Sequence, residues 1–294
     1  MKRPASWSMK RPAPWSVKRP APWSVKRPAP WSALKLLVAC IYLFMLGPIL
    51  ITAAVAFNQD NRSYFPPRGF SLRWWYAAFG PQWMQPLVFS LELATLVALI
   101  SATAGVPLAF ALQRYNFPGK SLMRAITLGP LILPSLVTGI ALLQFLSLVG
   151  LGRWMGFWAL LIGHVVICLP FSVRTVAISL AAMPGNLEPA AASLGATPLA
   201  VLRHVTLPLA IPGMFAGMIF AFIHSFDDVN LSLFIARPGE RPLTVAILSF
   251  LEFGFAPTLA AVSILSMLIP LALVALFGRF VGIGEFLYQE AGNG

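Results

Sequence analysis

Nine acids and three histidines are scattered through 294 residues of which 58% are hydrophobic. An ionisable group inside an apolar run is therefore conspicuous, because hydrocarbon solvates charge poorly and such groups default to function. Asp227 and Asp228 close one apolar run, and His224 precedes them by three and four residues, which puts it on the same helical face. Carboxylates there either draw a cation to the mouth of a pathway or form a solvated pair at a helix end. Glu92, beside Ser90 and Thr95 early in another run, either lines that pathway or snorkels to the same membrane face. His164 lies one turn deep in a third run, where a hydrogen-bonded role between helices is commoner than ligation; Arg174, late in that run, reaches towards headgroups. Cys40 and Cys168 both sit inside apolar runs and read as small buried hydrophobes. No metal, redox or cofactor chemistry is indicated, so both the metal and the cofactor expectation is none.

Two enzyme-like readings can be weighed against these residues. A hydrolase using a serine and a histidine from separate membrane segments is allowed by His164 and His224, but no G-x-S-x-G or H-E-x-x-H occurs and no carboxylates pair at mid-membrane. No G-x-x-x-x-G-K-[ST] occurs either, so ATP cannot be bound through a P-loop and any energy must come from a partner. A secondary transporter would show inverted repeats and ion-coordinating groups near the midplane, and neither is visible.

The elements that must position these residues follow from composition. Only 10% of the chain is charged, against about 25% in soluble domains, which excludes a water-soluble globule. Apolar runs of the roughly 20 residues needed to cross a bilayer recur at 34–57, 87–112, 122–148, 157–180, 210–228 and 258–281. The expected class is all-α, a polytopic protein of six transmembrane helices. The first run ends in Ala54-Val55-Ala56, like a cleavage site, but its apolar stretch is too long for a cleaved signal and it reads as an uncleaved span. Pro107, Pro130, Pro134, Pro170 and Pro270 are expected to interrupt helix bonding within spans.

The net charge of +12 is misleading. Residues 1–32 are four copies of an octapeptide, from MKRPASWS to VKRPAPWS, and hold eight of the 21 cations. Frequent proline forbids helix, so residues 1–33 are expected to form a disordered, polyproline-like arm ahead of a membrane domain at 34–294. The arm is either an electrostatic tether to anionic lipid, with Trp7, Trp15, Trp23 and Trp31 in the interface, or a tandem duplication without a selected role. Interleaved basic and aromatic residues alone do not make a nucleic-acid site. With six spans, 15 cations fall on the side of the termini and six on the other, which predicts cytoplasmic termini. Without the arm the split is seven to six.

Residues 183–213 carry a different pattern. Asn186 is placed to cap a short helix, Gly195 to stop it, and Thr197-Pro198 to start a second one that should end near Thr206, since Pro208 disfavours helix at Leu207. Leu194, Leu199, Leu202 and Val205 recur at helical spacing and give the segment an apolar face too short to span. A loop that builds helices outside the membrane docks on something.

This segment resembles the E-A-A-x3-G-x9-I-x-L-P signature of the permease subunits of binding-protein-dependent ABC importers. Gly195 matches the motif glycine, Val205-Thr206-Leu207-Pro208 matches I-x-L-P, and Ala190 and Ala191 are in register. Pro189 occupies the motif glutamate position, with Glu188 displaced by one residue. Phe65-Pro66-Pro67, Gly69-Phe70-Ser71-Leu72-Arg73-Trp74, Leu133-Pro134 with Gly139-Ile140-Ala141-Leu142, and Ser225-Phe226-Asp227-Asp228 are similar to the polyamine and opine branch.

The resemblance implies a type I importer permease fold in a bacterial inner membrane and a transport subunit, not an enzyme. It implies that residues 183–209 seat coupling helices on a separate ATPase, with Glu188 standing in for the motif glutamate. The implied partners are two ATPase copies, a second permease subunit forming a heterodimer, and a periplasmic substrate-binding protein. The implied solute is a polyamine-like cation, with an opine, a phosphonate or another small solute as alternatives.

Overall fold

The computed structural model describes residues 31–252 and 254–280; the expected arm, apart from its last residues, lies outside them. The chain divides into two units, Met1–Pro48 and Ile49–Gly294. Twelve α-helices occur among the described residues: α1 (Trp31–Ala56), α2 (Arg73–Ala78), α3 (Pro81–Arg114), α4 (Lys120–Leu128), α5 (Ser135–Leu148), α6 (Phe157–Ala182), α7 (Leu187–Ser193), α8 (Pro198–Val201), α9 (Leu207–Asp227), α10 (Ser232–Ile235), α11 (Leu243–Leu251) and α12 (Pro257–Phe280). No strand occurs among them, only two isolated bridges.

Five helical stretches are long and apolar enough to cross a membrane, and a bent pair, α4 with α5, makes a sixth crossing if taken as one. The third span expected at 122–148 is thus not a continuous helix: its halves meet at 107°. Gly129-Pro130 and Pro134 together explain the break. Two amide donors are lost within five residues, and Pro134 biases Leu133 away from helix. Pro107, Pro170 and Pro270, each many residues from any other proline of its helix, sit inside unbroken helices, because neighbouring turns absorb one missing hydrogen bond. At the break the amides of Ile132 and Leu133 still donate to the Gly129 carbonyl and the Pro134 carbonyl accepts from Val137 and Thr138, the kind of local pairing that irregular backbone at membrane depth requires.

The bundle centres on α3, α6 and α9, which share a core of Leu93, Val97, Leu160, Ile167, Cys168, Ala221 and Phe226. Without a hydrophobic drive between helices in lipid, close approach comes from small residues. A Cβ on Gly105 would lie 2.8 Å from Ser172 Cβ, and one on Gly217 would lie 2.8 Å from Ser172 Cα. Val55, Ala56, Ala78, Trp83, Leu243 and Leu259 form a second cluster at one end. There Asn58, fully buried, ties the 57–80 segment by donating from Nδ2 to the carbonyls of Arg62 (3.1 Å) and Tyr64 (3.3 Å).

Candidate coupling loop and substrate cavity

In the 183–213 segment, α7 ends in a left-handed turn. Gly195 has φ +85°, its amide donates to the Ala192 carbonyl and that of Ala196 to the Ala191 carbonyl. This paired arrangement closes a helix and favours glycine at the left-handed position. Thr197 caps α8 as expected, its Oγ1 accepting from Ala200 N at 3.3 Å, with Pro198 at the first position. Asn186 precedes α7 but makes no side-chain cap.

The second helix does not stop at Thr206. It passes through one π-helical turn, Leu202–Thr206, straight into α9, so that Pro198–Asp227 is one 30-residue helical stretch. Widening the turn moves backbone carbonyls off the register in which the Pro208 ring would clash, and Pro208 sits in the opening turn of α9, where its missing amide costs least. The expected apolar face splits: Leu202 and Val205 are half-buried, while Leu194 is 89% and Leu199 72% exposed.

Glu188 turns inward. Its Oε1 accepts from Arg114 Nη2 at 2.9 Å and from Thr206 Oγ1 at 2.7 Å, which joins the end of α3, the start of α7 and the π-turn. Ala190, Ala191, Leu207 and Pro208 make no side-chain contact of this kind; the first two belong to α7 and the last two open α9. A groove of about 500 Å³ runs beneath the loop between Pro189, Ala196, Leu202, Phe110 and Tyr115.

At the other end of α9 a cavity of about 350 Å³ is lined by Ser135, Phe171, Phe220, Ile223, His224, Asp227, Asp228, Val229 and Asn230. Three of the four expected pathway residues meet there. Phe171 stacks on Phe220 at 6.5 Å and 22°, and tilts against His224 at 5.0 Å. Asp227 is exposed, whereas Asp228 is buried and its Oδ2 accepts from Leu231 N (2.9 Å) and Ser232 N (3.4 Å). The pair is therefore not a pair of solvated equals. Glu92 does not join them: it lies on the exposed face of α3, opposite the packed Leu93, Ala94 and Val97.

Sequence reasoning missed Ser135, Phe171 and Phe220 in the cavity. Phe220, His224 and Asp227 recur at helical spacing on α9, a stripe legible in hindsight. It also missed Arg114 and Thr206 as partners of Glu188.

His164 is wholly buried, with Nδ1 2.8 Å from Ser225 Oγ and Nε2 3.0 Å from Ser232 Oγ. Asp228 Oδ2 stands 4.0 Å away. Serine, histidine and aspartate thus meet as in a hydrolase, but both ring nitrogens are occupied by hydroxyls and the ring is fully buried. The group ties α6 to α9 and α10, in line with the interhelical role expected for His164.

Comparison with known proteins places these features. The chain is 32% identical over 237 residues to the spermidine/putrescine transport system permease protein PotC of Haemophilus influenzae, covering 80% of this chain and 91% of that one. It is 29% identical over 230 residues to the putrescine transport system permease protein PotI of Escherichia coli, covering 76% and 82%. Its fold is similar to that of a bacterial ABC transporter involved in the import of the acidic polysaccharide alginate, with TM-score 0.63 and 17% identity over 85% of this chain and 95% of that one. Residues 101–282, which hold the broken span, the loop and the cavity, match the family model described as binding-protein-dependent transport system inner membrane component, and the chain belongs to that family.

Proposed function

We propose that this chain is the permease subunit of an ATP-driven importer that carries a polyamine-class cation across a bacterial inner membrane. The observation that carries the reading is the 183–209 segment, in which exposed Leu194 and Leu199 stand on a loop whose second helix runs unbroken into α9. A separate ATPase, in two copies, docks on those leucines, and its closure around ATP tilts the loop and the spans attached to it. A rigid-body switch between two packed arrangements belongs to the known repertoire of such transitions.

A second permease subunit completes the pathway as a heterodimer, and a periplasmic binding protein delivers the solute. Both termini are cytoplasmic, with Asp227 on the opposite side. Glu188 acts within the chain, holding the loop in shape, and contact with the ATPase falls to the residues around it. The polyamine assignment is supported by the permeases to which the chain is similar and by the carboxylate in the cavity.

The test is uptake. Expressed with the ATPase, second permease and secreted binding protein encoded beside it, in cells lacking polyamine uptake, the chain should restore ATP-dependent accumulation of labelled spermidine or putrescine. Uptake of an opine or a phosphonate instead would keep the importer and change its solute. A gene with no such neighbours and no uptake of any of these solutes would remove the reading.

A further inference from the structure

We infer that the cavity at the end of α9 is an ammonium-binding site on the transport path, with Asp227 as counter-charge and Phe171 and Phe220 as its aromatic wall. The inference rests on the importer reading above and adds the place and the chemistry of recognition.

Of the acids among the described residues, Asp227 is the one with a carboxylate that opens on this cavity and has no hydrogen bond or ion pair. Asp228 holds the 229–232 turn, Glu188 pairs with Arg114, and Glu240 accepts from Phe157 N at 3.3 Å. Asp227 is also the last residue of α9, where the carbonyl end of a helix already concentrates negative potential and disfavours an anion. Asp227 stands there beside Asp228, whose Oδ2 already accepts two amides, and among the described residues neither lysine nor arginine lines the cavity, an arrangement that a cation relieves. Among the described residues, His224 is the one titratable base lining it.

The remaining walls suit an alkylammonium better than a metal ion. Ring faces attract a soft organic cation through their quadrupole, and Phe171, Phe220 and Ile223 offer apolar surface to methylenes between amines. No group of three histidine, cysteine, aspartate or glutamate side chains that could hold a metal ion occurs among the described residues. Ser135, the first residue of α5 after the break in span three, supplies a hydroxyl on the side facing α9.

The experiment compares labelled spermidine uptake and binding-protein-stimulated ATPase activity for the assembled transporter bearing the wild-type chain, Asp227→Asn, Asp227→Glu, Phe171→Leu or Phe171→Tyr. The expected result is at least a tenfold fall in maximal uptake for Asp227→Asn, recovery to within threefold for Asp227→Glu, and loss with Phe171→Leu but not Phe171→Tyr, all with ATPase stimulation retained. Wild-type spermidine uptake matched within twofold by Asp227→Asn overturns the site and leaves the importer reading standing. Equal loss of uptake and of ATPase stimulation in Asp227→Asn and Asp227→Glu also overturns it, by making the residue structural. A wild-type transporter that imports another solute and no cationic amine overturns the site together with the polyamine assignment.

Discussion

Arg114 at the end of α3 and Glu188 at the start of α7 form an ion pair of 2.9 Å, and Thr206 shares the same carboxylate oxygen. One side chain thus fastens the loop to the termini of two different spans. The groups are partly exposed, 32% and 26%, and such a pair contributes about 1 kcal/mol or less. Its importance is geometric.

Replacing Glu188 with Gln should therefore leave membrane insertion and melting temperature nearly unchanged while lowering transport severalfold, because the loop can swing independently of α3. Arg114→Ala should do the same, and the double variant should be no worse than either single one. Additive losses in uptake would show that the two residues act separately.

Gly195→Val should abolish coupled transport. The position has φ +85° and nothing within 4 Å of an added Cβ, so the penalty is in the backbone, about 1–2 kcal/mol for an L-residue in the left-handed region. Asn, which tolerates that region, should retain more uptake than Val. Full transport by Gly195→Val, with normal ATPase stimulation, would remove the loop from the coupling path.

His164→Ala should destabilise the protein, although His164 itself does not line the cavity. Two buried hydroxyls, Ser225 and Ser232, lose their partner at once, and each unsatisfied group costs about 1–3 kcal/mol. Thermal melting in detergent should fall by several degrees or more, and a variant that melts like the parent would contradict the packing described for α6, α9 and α10.

Gly217→Leu should interfere with assembly of α6 and α9. Its Cβ would lie 2.8 Å from Ser172 Cα, a backbone contact that cannot rotate away, and overpacking of this kind costs about 1–3 kcal/mol. Reduced yield and a lower melting temperature are expected, with Gly217→Ala intermediate.

Deleting residues 2–32 should leave uptake within twofold of the full chain. Loss of activity in correctly inserted protein would give the octapeptide repeats a role that their sequence alone does not establish.

The spans were legible because lipid demands long apolar runs, and the apolar pattern needs no tertiary information. Gly195 and Thr197 were legible because turn and cap geometry depend on one or two residues. The failures were non-local. Pro208 predicts a stop only if the helix cannot widen, and the π-turn before it depends on how α9 packs below. Pro107 and Pro130 look alike in sequence, yet only the latter, with Gly129 and Pro134, breaks its helix. Asp227 and Asp228 are chemically identical neighbours that both line the cavity, yet the helix ends between them, so the first is exposed and the second is buried holding the 229–232 turn. Glu188 is expected from the resemblance to stand in for the motif glutamate; its partner Arg114 is 74 residues distant and invisible to any local pattern.

The unbroken stretch from Pro198 to Asp227 makes a long lever. Thirty residues at the helical rise reach on the order of 45 Å, so a tilt of about 10° at one end displaces the other by roughly 8 Å, several times the width of an ammonium group. Along that length lie one widened turn and Pro212 inside α9, and on the roles proposed above the cation site and the ATPase-facing Leu199 would move together. The timing of release is then set by stiffness: residues that add slack at 202–206 should let ATP be consumed without moving the cargo.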